Sequence, residues 1–276
     1  MARRVLIGSR LTAAVAMATA LITGCGHSTT PGQSAKPPER WPTTLSDLHF
    51  VWTAEPGIDL LTQPVVVVRA YIESRTLVRF GGSLDYLYPG FDRAVEPDLP
   101  AAVGNPLSTV GRWPEPGGDG KRLVGTDLRH VLRIAQNGRN VTAVACFWTY
   151  GAAWQQPDGR YRIGTVHTGP TTALSVERIS MLAPADDSAD TLPPQKGPSP
   201  YPYTDVFGGW RVIGQLQAVG PNGAGPEWPE FPQDQAACAA RAPASIERRE
   251  YLTSAPRPRS DFPTLPSEPG WPVETR

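Results

Sequence analysis

Proline decides where this chain can build regular structure. Inside a helix it removes a hydrogen bond and clashes with the preceding turn, and inside a sheet it removes a ladder bond, so each proline cluster closes a stretch to both. Most of the 31 prolines in this 276-residue sequence gather at 26–44, 97–120, 184–202 and 243–276. That distribution predicts a folded centre with extended arms, because such segments offer little apolar surface to offset the entropy lost on ordering.

Between the clusters the periodicity is readable. Val65 to Phe80 runs sixteen residues without glycine or proline, long for a strand. Arg69, Glu73 and Thr76 form a polar stripe at helical spacing, opposite a core-facing stripe of Val65, Val68 and Ile72. Thr62 is a candidate N-cap, Pro64 suits a first turn, and Gly81-Gly82 ends the helix. A shorter, broken helical segment follows over Ser83 to Val95, interrupted at Pro89-Gly90. His130 to Gln136 and Val141 to Trp154 flank Asn137-Gly138-Arg139-Asn140, a hairpin signal, since Asn-Gly supplies the positive φ angles of tight turns. In the second of these strands Val144, Cys146, Trp148 and Tyr150 alternate with Val141, Ala143, Ala145 and Phe147, so both faces are apolar and the strand reads as central and covered on both sides. Arg160 to Thr168 and Thr171 to Leu182 extend the meander, with a bulge expected near Arg178. Phe207 to Val219 rejoins the fold as either strand or helix, and a short helix over Gln233 to Ala240 carries Cys238 to the sheet.

The chain opens with Arg3, Arg4 and Arg10 and then an uncharged apolar run from Leu11 to Thr23, too short for a permanent membrane span of about 30 Å and read as a signal peptide over 1–24. Ile22-Thr23-Gly24-Cys25 resembles the lipobox of bacterial lipoproteins. The resemblance implies a diacylglyceryl group on the Cys25 sulfur, cleavage just before it, and anchoring to the outer face of the bacterial cell membrane. Residues 25–44 then serve as a flexible tether, 45–242 as one domain with a linker at 184–202, and 243–276 as a proline-rich tail. The lipobox and the Ala, Pro and Arg usage together resemble lipoproteins of mycobacteria and related actinobacteria, which implies a setting and no activity.

Lys plus Arg equals Asp plus Glu at 26 each, so no global field draws in nucleic acid, and none is expected as a partner. With Cys25 lipidated, Cys146 and Cys238 remain in a compartment that permits disulfides, and they are expected to pair rather than persist as two buried thiols. Such a bridge would contribute about 4 kcal/mol by restricting the unfolded chain.

The order of elements predicts an α+β fold, N-terminal helices packed on a bent antiparallel sheet. Over Thr62 to Leu182 that order resembles the cone-shaped fold of nuclear transport factor two-like proteins, whose cone serves as a small-molecule pocket or an assembly surface, so the resemblance leaves function open.

Established chemistries leave little trace. No Gly-x-Ser-x-Gly turn occurs, and Gly117-Gly118-Asp119-Gly120-Lys121 lacks the spacing of a phosphate loop. His27, His49, His130 and His167 are dispersed, so no metal site and no cofactor is expected. Asp85 and Asp92 would share a helix face only if Pro89 did not intervene. The remaining signal is aromatic: Tyr71, Tyr86, Trp148 and Tyr150, with Asp85 and His167 as polar tips, are the candidate pocket. The expectation is a non-enzymatic envelope module that binds an apolar or amphipathic small molecule or an envelope protein. An enzyme using Asp85 or His167 as general base, and a purely architectural protein, are the alternatives.

Overall fold

The computed structural model of this chain describes residues 41–96, 112–164, 168–185, 192–219 and 227–274. The leader, Cys25, most of the tether, most of the 97–120 loop and His167 lie outside them.

A 3₁₀ turn over Thr43–Leu45 leads into strand β1, Leu48–Ala54, where Leu48, Phe50 and Trp52 are buried in alternation. Helix α1 spans Val65–Gly81, within one residue of the expected range. Its start differs from expectation. Thr62 contributes its carbonyl, which accepts from Val66 N at 3.1 Å, while its hydroxyl donates to Asp59 Oδ2 at 3.0 Å. The C-terminal end closes on Gly82, whose N–H donates to Val78 O. The broken segment that follows is a 3₁₀ turn, Leu84–Tyr86, capped by Ser83, and one helical turn, α2, Phe91–Ala94.

Strand β2 (Leu123–Asn137) and strand β3 (Asn140–Trp148) form the expected hairpin, pairing Asn137 with Asn140. The turn itself is Gly138-Arg139, with Gly138 at φ +58°, a value that glycine adopts at little cost. The strand expected to run on to Trp154 is broken by a 3₁₀ turn at Thr149–Gly151 and resumes as β4, Ala152–Gln155, which pairs with β5, Tyr161–Arg162. Strand β6 (Leu174–Leu182) pairs with β3, and β7 (Arg211–Val219) pairs with β6, settling the Phe207–Val219 segment as strand. The irregularity expected near Arg178 lies instead between β6 and β7 at Ser180/Met181. Strand β1 joins β2 in parallel, a pairing that needs a crossover, which α1 supplies. The result is a mixed α+β fold on a curled, mostly antiparallel sheet.

Two apolar cores flank the sheet. On the inner face, α1 and α2 pack over Val131, Val141, Ala143, Ala145, Ile179 and Met181. On the outer face, Val144, Cys146, Trp148 and Val176 meet Trp228, just before helix α3 (Phe231–Ala240), Phe231 of α3 and Leu252 of helix α4 (Ile246–Ser254). Strand β3 is thus covered on both sides, and Cys146 and Cys238 are disulfide-bonded, fixing α3 to the sheet.

The described parts of the expected arms are packed. Trp41, Tyr201, Phe262 and Trp271 are all at most 5 % exposed. Ser199 and Trp271 exchange backbone hydrogen bonds, and Trp52 and Phe50 of β1 do the same with Glu268. The final segment covers Arg69 and Glu73, so both are buried where periodicity predicts exposure, while Thr76, also buried, donates to Ile72 O within the helix. Both departures have one cause: the tail brings the partners that buried charges require.

Candidate functional site

The inner face of the sheet changes character along the strands. Beyond the apolar rows under α1 come Arg129 of β2, Phe147 of β3, Glu177 of β6 and Gln215 and Gln217 of β7. Register sets Arg129 opposite Phe147 and Glu177 opposite Gln217. Above them stand Ile72, Thr76, Arg79 and Phe80 of α1, and Trp113 to Gly117 close the side. Apart from Gln215, which lies behind them, these residues line a cleft of about 570 Å³. Gly117 allows the wall to form, since a Cβ there would fall 2.6 Å from the Arg79 carbonyl oxygen. Trp113 Nε1 donates to Val95 O, and Arg112 Nη1 donates to Ile213 O at 2.9 Å, which hold the wall in place.

The cleft floor is ionic and internally satisfied. Arg129 donates through Nε and Nη2 to Asp127 and through Nη1 to Glu177 Oε1 at 2.7 Å, and its guanidinium lies 3.6 Å over the Phe147 ring. Gln215 Nε2 and Gln217 Nε2 donate to the two Glu177 oxygens, and Tyr71 OH donates to Gln215 Oε1 at 2.8 Å. Burial pushes the Asp127 carboxyl up against the opposing pull of Arg129. Burial alone would lower Arg129, but the two carboxylates outweigh it and raise it.

The aromatic content is as selective. Of eight tryptophans and seven phenylalanines, eleven are at most 6 % exposed. The four that are half-buried are Phe80, Trp113, Phe147 and Trp154. The first three line the cleft. Phe80 and Trp154, edge to face at 5.2 Å, line a second recess of about 850 Å³ with Gln156 and Arg162, which shares Phe80, Pro116 and Gly117 with the first.

Of the candidate pocket residues, only Tyr71 touches this site, from behind Gln215. Trp148 and Tyr150 point to the outer core, where Trp148 Nε1 donates to Cys238 O and Tyr150 OH accepts from Ala244 N. Strand alternation is the reason: Phe147, one residue earlier, takes the inner face. Asp85 is exposed and accepts from Ser83 Oγ, while Tyr86 packs beside Gly81. The five of them that are described therefore do not converge, and His167 lies outside the described residues. Arg129, Glu177 and Gln217 escape the periodicity because polar residues in a strand read as solvent-facing, although Asp127 and Arg129 are two apart on one face of a strand that begins well before His130.

Among the described residues no three His, Cys, Asp or Glu side chains gather as a metal site, and no helix is long and apolar enough to cross a membrane. No family model, no curated protein and no solved structure matches the chain.

Proposed function

We propose that this chain is an exported lipoprotein, anchored through Cys25 to the outer face of the bacterial cell membrane, and that its domain is a non-enzymatic module binding a small molecule with both polar and apolar faces between α1 and the sheet. The observation that carries the reading is the convergence of all four half-buried tryptophan and phenylalanine rings on two adjoining recesses. A folded domain buries such rings where it has the room, and a group of them left at a concave surface is the usual make-up of a ligand site. In cone-like folds the space between long helix and bent sheet plays this part, and the cleft occupies that position. A catalytic reading is less well supported: the floor carboxylates are committed to Arg129, and neither is set up as a free acid or base.

Native mass spectrometry of the full chain purified without denaturation, followed by organic extraction, tests the module. A copurifying small molecule, lost in the Trp113→Ala variant, is the expected result. A clean mass from several hosts, together with unchanged tryptophan emission on adding extracted envelope material, would refute it. Replacing Cys25 by Ala should move the protein from the membrane to the soluble fraction.

A further inference from the structure

The ligand class follows from what the cleft offers, and it rests on the binding-module reading above. Three guanidinium groups, Arg75, Arg79 and Arg129, stand at the first recess against Glu115, Glu177 and the Asp127 that lies behind Arg129, and Lys121 and Arg162 stand at the second against Asp119. Five cations against four carboxylates leave a single positive charge over the two recesses, little net charge with which to hold an ion. An anion on the floor would face Glu177, and a cation would face Arg129. A hydrocarbon chain laid there would strip water from the remaining exposed edges of the ion pairs without returning a hydrogen bond, a costly exchange.

A neutral polyhydroxylated ring meets none of these objections. One face of a pyranose presents C–H groups that stack on an aromatic ring, and its edge presents hydroxyls that both donate and accept. The recesses match this alternation. Phe80, Trp113 and Trp154 supply aromatic surface, while Gln217, Gln156 and Arg162 supply planar groups beside it. Planar amide and guanidinium groups lose little rotamer freedom per hydrogen bond formed, and a hydroxyl accepts from a guanidinium as readily as it donates to an amide oxygen. The two recesses meet at Phe80 and Gly117, so one aromatic platform lies on each side of a shared waist.

We infer that this cleft binds a neutral oligosaccharide, with one sugar unit in the recess of Trp113 and another in the recess of Trp154. The test is saturation-transfer NMR on the full chain in a detergent lacking a sugar headgroup, with neutral gluco-, manno- and N-acetylgluco-oligosaccharides of increasing length, and with palmitate and an extended peptide as rivals. The expected result is transfer to a sugar series, tighter binding of the trisaccharide than of the monosaccharide, and about tenfold weaker binding in Trp154→Ala, the loss of one stacking platform. Because Trp154 is only half-buried, its melting curve is expected to stay near that of the parent, and Gln156→Ala offers a second variant if it does not. No transfer to any of the sugars overturns the inference. Palmitate or peptide binding that Trp113→Ala abolishes, with no sugar binding, overturns the sugar and leaves the module standing. Sugar binding that survives both tryptophan variants overturns the placement in this cleft.

Discussion

One buried ionic group lies on helix α1 and another on the sheet across the cleft from it, and they are built in opposite ways. Toward the middle of the helix, Glu73 accepts from Trp52 Nε1 at 2.7 Å, Tyr88 OH at 2.9 Å and Trp271 Nε1 at 2.7 Å. One turn earlier, Arg69 donates to the carbonyls of Leu60, Gln195, Pro269 and Gly270 and lies 4.3 Å over the Trp271 ring. All the side chains that bond this pair are buried, and of the backbone partners only the Leu60 carbonyl belongs to a half-buried residue. The second, Arg129 with Asp127 and Glu177, is as well bonded but faces a cleft, and its aromatic cover, Phe147, is half-buried. The sealed group joins the tail to the helix and serves packing alone. The open one spends the same chemistry on a surface that water or a ligand can reach. Burial and satisfied bonds do not by themselves separate a structural ion pair from a site; the exposure of the neighbouring rings does.

The sharpest way to break this contrast is to remove each arginine. Arg69→Met leaves four backbone carbonyls without their donor and Glu73 without its neighbouring positive charge, with an expected loss of about 4 kcal/mol in urea unfolding. Arg129→Met should cost about 2 kcal/mol, because cleft water can solvate part of the freed Glu177 carboxylate. Equal losses for the two variants would erase the distinction between sealed and open.

The pH dependence of unfolding sharpens it further. Burial, resisted by Arg69 and the three hydrogen bonds, raises Glu73 from 4.5 to about 6. A carboxyl with a raised folded value prefers to be neutral in the folded state, so its stabilisation is complete below the unfolded value and disappears as pH rises through about 6. Across that window the loss is about 2 kcal/mol. In Glu73→Gln the stability profile between pH 4 and pH 7 should flatten relative to the parent. A parent profile that rises over this range would contradict the assignment.

The smallest effect belongs to the rings that distinguish the site. Trp113→Ala should lower stability by about 1 kcal/mol, against the 3 to 5 kcal/mol typical of a fully buried tryptophan such as Trp271. A thermal melt of the two variants side by side checks the difference.

Much of the architecture was legible. Helix α1 follows from a proline-free run with two stripes, the β2–β3 hairpin from Asn137-Gly138, and the two-sided cover of β3 from its unbroken apolar alternation. The disulfide follows from counting. What was illegible depends on contacts between distant segments. Strand β1 is too short to stand out beside its prolines, although Leu48, Phe50 and Trp52 do alternate. Periodicity cannot tell a polar stripe in water from one covered by a chain end two hundred residues away. For the same reason the arms read as unstructured: proline forbids helix and ladder, but it does not forbid packing, and Trp271 and Phe262 needed no secondary structure to be buried. The site was half visible, since aromatic enrichment was plain, while the choice among rings required knowing which face each strand position takes.

The place of Trp271 also orders the synthesis of the protein. Until that residue exists, Arg69 and Glu73 face water and β1 lacks Glu268 along its outer edge. A chain cut at residue 260 keeps every strand and the Cys146–Cys238 pair, yet it leaves Arg69 and Glu73 without their partners from the final segment. Losing the Glu268–Trp271 segment would therefore open α1 and the edge of β1 together, and limited proteolysis of a chain cut before Glu268 is expected to start at that helix.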